Sequence, residues 1–313
     1  MTPFFSVVVT VYNKSHFVEK TITSILNQSF SDFELIIVDD GSSDDSLKVI
    51  NGIKDNRISI YPTKNQGVSA ARNYGLHKAK CNYIALSDGD DIWLENHLLE
   101  LKQLIDTFQG CGIYATSYKK HFFESYITTP KFQYIEEPFF GIVKDYFRTS
   151  TIDNILWTSA VAIPKRIIDK GYIFDEDLGW GEDNDLWIRI ANDFKVAFSS
   201  KPTAHKMIHS KDNHLSLTKD IPNLMMMLNK HKDKEKQNPS LKAHLDVNRF
   251  MIAMEAKLRN DYENYKKVKQ EINPKHLNYK LRLLLILPAN ILRLLKKLKF
   301  FLLKKKLYIS PFR

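Results

Sequence analysis

Cysteine is scarce: the 313 residues hold two, Cys81 and Cys111, without metal-type spacing. That excludes the disulfide framework of a small secreted domain and fits a reducing compartment. A basic leader and a small-residue cleavage pattern are also lacking. Residues Met1 to Asn13, MTPFFSVVVTVYN, read as a buried strand rather than a signal peptide. The C-terminal region has no bilayer-length apolar run either. Its longest uncharged stretch, Leu283 to Leu292, is ten residues and contains Pro288, against the roughly 20 needed to span. Acids are nearly absent at the end of the chain. Tyr265 to Arg313 carries 14 Lys/Arg and one acid, Glu271, a net +13, so residues 1–264 hold −3 of the overall +10. The basicity therefore belongs to a tail. That tail has bulky aliphatics where a nucleic-acid arm has Gly, Ser and isolated aromatics, so no nucleic-acid partner is expected.

What is present is the composition of a folded protein, 43% hydrophobic and 12% aromatic, long enough for one enlarged domain or two smaller ones. Residues 4–11 and 33–39 (FELIIVD) are continuous apolar runs of strand length, and 58–61 and 82–87 are shorter ones. Between them, 17–28, 44–54 and 69–79 carry helical spacing. Strands alternating with helices of about ten residues predict βαβ units and a parallel sheet covered on both faces. Ligands of such sheets bind beyond the carboxyl ends of the strands. Three polar clusters fall there: Thr10-Val11-Tyr12-Asn13, Asp39-Asp40-Gly41-Ser42-Ser43 and Ser87-Asp88-Gly89-Asp90-Asp91.

The stretch ALSDGDDIW (Ala85 to Trp93) crowds three carboxylates into four positions, which calls for a solvated turn or a divalent cation. One such cluster is ordinary turn chemistry; three at strand ends favour a nucleotide and metal crevice. In NQGVSAARNYG (Asn65 to Gly75), Ser69 is a candidate helix cap, Arg72 lies in the first turn, and Gly67, Ala70, Ala71 and Gly75 permit close helix-to-sheet packing. Asp91 is a candidate cap for a helix beginning near Trp93, or a support for the site from behind. The acids of GWGEDNDLWIRI (Gly179 to Ile190) suit the first turn of a helix through Leu186, Ile188 and Ile190. Residues 112–163 depart from the βαβ rhythm and are rich in aromatics, which suit sugar rings and cores alike.

In this order and spacing, SVVVTVYNKSHFVEKTITSILNQSFSDFELIIVDDGSSDDS, NQGVSAARNYG, LSDGDDIW and GWGEDNDLWIRI resemble the family 2 glycosyltransferases over about residues 4–218. These enzymes have the GT-A fold, use nucleotide sugars and invert the anomeric configuration. The resemblance implies an α/β protein with a Rossmann-like mixed sheet and helices on both faces. With the polar, helical character after about residue 220 and the basic run from Lys280, it divides the chain into a catalytic domain (1–220), a helical extension (221–279) and a basic amphipathic tail (280–313).

It further implies that Thr10 and Tyr12 hold the base and ribose, Tyr12 lying against the base. Asp40 would accept from the pyrimidine N3–H and Arg72 would lie near the base or diphosphate. Asp88 and Asp90 match a DxD element, with Asp90 on Mn²⁺ or Mg²⁺ and Asp88 near the ribose or the metal. Asp183 matches the catalytic base and Glu182 an acceptor-positioning residue. In AHKMIHSKDNHLS (Ala204 to Ser216), His209 matches a third metal ligand or diphosphate contact, but three histidines within ten residues leave the register and a plain surface role open.

The implied partners are a nucleotide-sugar donor, with UDP favoured, and a growing glycan or lipid-linked saccharide acceptor in bacterial surface polysaccharide or lipopolysaccharide synthesis. The alternatives are an inactive carbohydrate-binding or scaffold protein on the same fold and a sugar nucleotidyltransferase. Within Lys280 to Lys306, Arg293, Lys296, Lys297 and Lys304 recur at helical spacing amid Leu and Phe. That pattern suits a helix lying on an anionic membrane, with a partner-binding or core helix as the alternative. The expected location is the cytoplasmic face of the inner membrane.

Overall fold

The computed structural model describes residues 2–122, 126–208 and 221–312. The chain divides into two compact units. The first comprises 1–130, 135–146 and 155–214; the second takes 131–134, 147–154 and 215–313.

In the first unit the strands are β1 (Phe5–Val11), β2 (Phe33–Asp39), β3 (Ile58–Pro62), β4 (Tyr83–Asp88), β5 (Ile92–Trp93), β6 (Ile113–Phe122), β7 (Tyr126–Thr128), β8 (Phe140–Ile142), β9 (Val161–Pro164) and β10 (Val196–Ile208). The helices that follow or separate them are α1 (Val18–Leu26), α2 (Ser46–Gly52), α3 (Val68–Lys78), α4 (His97–Thr107), α6 (Lys165–Ile168) and α7 (Glu182–Asp193), while α5 (Tyr146–Thr149) falls almost wholly in the second unit. One sheet runs β3-β2-β1-β4-β9-β6-β10-β5, with β7 on β6 and β8 on β10. From β3 to β4 all neighbours are parallel. β9 enters antiparallel to both β4 and β6, while β6 and β10 are parallel, so the sheet is mixed.

The apolar runs explain the central strands. Every residue of β1 is buried, as expected for a strand covered on both faces. α1 buries Val18, Thr21, Ile22 and Ile25, one stripe at helical spacing. α3 packs on β1 and β2. At Gly75 a Cβ would stand 2.3 Å from Val8 Cγ1, so the close approach needs glycine.

Two local expectations are corrected. Ser69 does not cap α3: Gly67 holds the cap position at φ 94°, a conformation suited to glycine. Asp91 does not cap a helix near Trp93, because Ile92–Trp93 pairs with β10 and the next helix starts at His97.

The second unit contains α8 (Ile221–Lys230), α9 (Lys232–Gln237), α10 (Pro239–Leu258), α11 (Tyr262–Glu271), α12 (Tyr279–Ile286) and α13 (Ala289–Lys304). The side chains of Asn238, Asp261 and Asn278 cap α10, α11 and α12. In α10 the fully buried Arg249 meets Glu235 at 2.7 Å, and Asp246 and Glu271 at 3.2 Å each. The carboxylates answer the cost of burying its charge. Leu287 and Pro288 separate α12 from α13 with extended backbone.

Candidate active site

The carboxyl ends of β1, β2 and β4 form one edge of the first unit. Register sets this: Thr10 pairs with Val38 on one side and with Asp88 on the other. The loops beyond them are tied together by side chains. Asn13, at φ 52°, accepts through Oδ1 from the Ser43 amide at 2.8 Å, and its own amide donates to Ser42 Oγ at 2.9 Å. Ser42 Oγ in turn donates to Asp39 Oδ1 at 2.5 Å. The amides of Lys14 and Ser15 donate to Ser46 Oγ and Asp44 Oδ2. Asp44 is pulled down to about 2, since hydrogen bonds from Ser46 and Ser15 outweigh the burial that would raise it.

Asp40 is buried and engaged. Its Oδ1 accepts from the Gln66 amide at 3.0 Å and its Oδ2 from the Gly67 amide at 2.9 Å. The carboxylate thus holds the turn that starts α3. Thr10 is buried in β1, and Tyr12 stands just past the strand end, 44% exposed.

Arg72 is the centre of the arrangement. Nη1 donates to Glu182 Oε1 at 2.7 Å and Nη2 to Asp88 Oδ1 at 2.8 Å. The guanidinium centre lies 5.0 Å from the centroid of the Phe174 ring, a cation–π distance. The next residue in the helix, Asn73, pins the Phe174 backbone from both sides: Nδ2 donates to its carbonyl and Oδ1 accepts from its amide, both at 2.9 Å. Burial lowers the pKa of Arg72, but the charges of Asp88, Glu182 and Asp183 outweigh it and raise the value. Conversely, burial and the adjacent Asp183 push Glu182 up more than Arg72 pulls it down. Arg72 Nε and the buried Ser69 Oγ have no hydrogen-bond partner among the described residues.

In the acidic turn, Asp90 Oδ2 lies 2.6 Å from Lys14 Nζ, the two side chains being 10% and 13% exposed. Gly89 donates its amide to the Thr10 carbonyl at 3.0 Å. Asp91 takes the supporting role: Oδ2 accepts from Ser159 Oγ at 2.6 Å and Oδ1 from the Met207 amide at 3.1 Å. Its pKa rises because it is buried and neighbours Asp90 and Asp88. Ser159 also accepts from the Asp88 amide at 3.0 Å, and its carbonyl accepts from Trp93 Nε1 at 2.7 Å.

Asp183 follows Glu182 in the first turn of α7, behind the left-handed Gly181 at φ 81°, and its Oδ1 accepts from the Asn184 amide at 2.6 Å. The fold therefore joins Asp88, Glu182 and Arg72 directly, with Asp183 beside Glu182 and Asp90 on Lys14. Tyr12 and Asp40 stand at neighbouring strand ends. His209 lies outside the described residues.

Lys14, Ser159, Asn73 and Phe174 were not singled out from sequence. Lys14 follows Tyr12-Asn13 and Asn73 follows Arg72, so adjacency to a motif was the available signal. Ser159 and Phe174 have none, because their roles depend on contacts 71 and 101 residues away. Among the described residues no three His, Cys, Asp or Glu side chains converge on one metal position.

The family model for glycosyl transferase family 2 matches residues 6–168. Similar curated proteins include an uncharacterized glycosyltransferase of Haemophilus influenzae, 47% identical over 105 residues, which are 33% of this chain and 41% of that protein. Another, from Rickettsia bellii, is 32% identical over 193 residues, 60% of this chain and 26% of that protein. The chain thus matches only about a quarter to two fifths of these relatives' length. Among solved structures, a crystal structure of S. aureus TarS 1–349 in complex with UDP-GlcNAc aligns with a TM-score of 0.60 at 16% identity, covering 85% of this chain and 90% of that one. At that identity the likeness establishes a common fold.

Proposed function

The chain belongs to glycosyl transferase family 2, and from that premise we propose that it moves a sugar, with inversion, from a nucleotide-sugar donor to a hydroxyl of a growing glycan in bacterial surface polysaccharide or lipopolysaccharide synthesis. The observation that carries the proposal is the Arg72 bridge. One guanidinium joins Asp88, of the donor-side DxD element, to Glu182, beside the base, at 2.8 and 2.7 Å. Donor and acceptor chemistry thereby share one rigid support.

A uridine diphosphate donor is favoured. Tyr12 is an exposed ring suited to stacking on a base. Thr10 flanks the ribose. Asp40, fixed by two amides, retains lone pairs that can accept from a pyrimidine N3–H. Arg72 sets a positive charge behind these strand ends, which would offset that of a diphosphate. TarS, whose fold this chain shares, has been crystallised with UDP-GlcNAc and with UDP.

The acidic turn suits a divalent cation. Its donors are hard carboxylate oxygens, and the cation Lys14 already seats on Asp90. Mg²⁺ commonly takes one or two protein carboxylates and completes its shell with phosphate and water, so a larger protein cluster is not required. Asp90 and Asp88 would hold Mn²⁺ or Mg²⁺, with His209 a candidate third ligand. When bound, the metal stabilises the charge left on the departing diphosphate. Asp183 accepts the proton of the attacking hydroxyl as its oxygen bonds to the anomeric carbon and the bond to phosphate breaks. Glu182, locked on Arg72, positions the acceptor.

The proposal extends to an anionic membrane surface at the cytoplasmic face of the inner membrane, through α13. Among the described residues no helix is long and apolar enough to cross a membrane. Leu294, Leu295, Leu298 and Phe301 are exposed on α13, and Leu294 is 65% exposed. Helical geometry puts these four on one stripe, with Arg293, Lys296, Lys297 and Lys304 opposite. From Ile272 to the end the sequence has no acid. A symmetric contact with a second copy would set like charges against one another, whereas anionic lipid answers both the apolar and the basic face.

Donor hydrolysis tests the central proposal. The protein, Asp90→Ala and Asp183→Asn are incubated with UDP-, GDP- and dTDP-sugars in Mn²⁺, Mg²⁺ or EDTA. Release of UDP that requires metal and is lost in Asp90→Ala is the expected result. No release, together with no metal-dependent donor binding by calorimetry, leaves the carbohydrate-binding scaffold. Pyrophosphate release from a nucleoside triphosphate selects the nucleotidyltransferase.

A further inference from the structure

The acidic turn of the crevice has its own cation. Lys14 Nζ is 2.6 Å from Asp90 Oδ2, and both side chains are largely withdrawn from water. We propose that Lys14 is a resident counter-ion of Asp90, that a divalent cation gains Asp90 only by displacing it, and that Lys14 thereby couples metal binding to nucleotide binding. The inference rests on the metal-assisted reading of the site given above.

Among the described residues, Arg72 and Lys14 are held differently. Arg72 is buried between two carboxylates and lies over a ring, with both terminal nitrogens engaged. Releasing it would strand the buried Glu182 and the half-buried Asp88 at once. Lys14 makes a single contact with Asp90 from a flexible four-carbon stem. Its backbone cannot follow the side chain away. The Lys14 amide donates to Ser46 Oγ at 2.8 Å, and its carbonyl accepts from the Phe17 and Val18 amides, each at 2.9 Å. Displacement is therefore a rotation of the side chain about a fixed anchor.

Electrostatics makes the exchange competitive. A divalent ion and an ammonium sharing one carboxylate repel at contact distance, and partial burial weakens the screening that would soften the repulsion. In the free protein Lys14 therefore weakens metal binding. A nucleoside diphosphate changes the balance, since phosphate oxygens give the released ammonium a new partner and give the metal further ligands. Metal and nucleotide then favour one another, and by linkage the favour is reciprocal. Lys14 lies two residues past Tyr12, so the same loop offers the nucleotide both a ring and the cation.

Calorimetric titration of Mn²⁺ into the full chain, Lys14→Met, Lys14→Gln and Asp90→Ala, each with and without saturating UDP, tests this. Lys14→Met and Lys14→Gln are expected to bind Mn²⁺ about tenfold more tightly than the parent without UDP, and the strengthening that UDP brings is expected to shrink by a similar factor. The glutamine variant keeps a polar side chain should the methionine variant fold poorly, as checked by circular dichroism. If both bind Mn²⁺ no more tightly than the parent while Asp90→Ala abolishes binding, the counter-ion role is wrong and the metal reading stands. If the parent binds no Mn²⁺ even with UDP, both fall.

Discussion

Arg72 carries a positive charge to a place where it is 5% exposed. Withdrawing an ion from water costs several kcal/mol, which only well-aimed partners offset. The planar fork of arginine reaches Asp88 with one nitrogen and Glu182 with another, and a lysine, with one nitrogen, cannot reproduce both directions. Arg72→Lys is therefore expected to lower the rate of the proposed donor turnover about 100-fold, the cost of misplacing catalytic groups by about an ångström. Melting temperature measured alongside separates this from unfolding. A variant that stays folded and turns over within threefold of the parent would remove the bridge from the mechanism.

At the scale of elements, the approach of α3 to β1 sets where Arg72 enters the crevice. The contact point is Gly75, where a Cβ would fall 2.3 Å from Val8 Cγ1. Gly75→Ala is expected to destabilise the protein by about 1–3 kcal/mol through overpacking, outweighing the helix propensity gained. Urea unfolding measures it. Adding Val8→Ala should recover part of the loss if the clash is the cause, and an unchanged midpoint in Gly75→Ala alone would show that the helix can shift at no cost. The loop ahead of α3 is set by Asp40 rather than by a cap from Ser69, because a carboxylate just past the end of β2 takes the Gln66 and Gly67 amides.

For the whole molecule, the acid-poor tail becomes α12 and α13 within the second unit, held there by its own contacts. Leu281, Leu285, Ala289 and Leu292 are buried, and the Leu285 carbonyl accepts from Tyr265 Oη at 2.6 Å and Lys257 Nζ at 2.8 Å. Beyond Leu292 the residues through Phe301 are all exposed. Co-sedimentation with phosphatidylcholine vesicles, with and without phosphatidylglycerol, is expected to retain the protein only on the anionic vesicles. Retention should fall at high salt and in Leu294→Glu/Leu298→Glu, whose charges oppose insertion of the apolar stripe. Equal recovery in the supernatant with both vesicle types, together with a dimer by light scattering, would assign the stripe to a second copy.

By itself the sequence determined the central strands and the order of the motifs on them. The runs of β1, β2 and β4 are apolar because these strands are covered on both faces, and that signal is local. It also determined which strand ends are acidic, hence where a ligand of such a sheet is expected. Only the tertiary structure decided the pairings inside it. Arg72 and Glu182 are 110 residues apart, and Lys14 meets Asp90 because β1 lies beside β4 in the sheet. Likewise the turn ahead of β9 and strand β10 bring Ser159 and Met207 to Asp91, for which the sequence left a cap and a supporting role both open. A periodic pattern reports how a segment meets water. It carries no information on which distant charge will neutralise which, since that depends on the order of strands and on loops whose ends meet only after the sheet has formed.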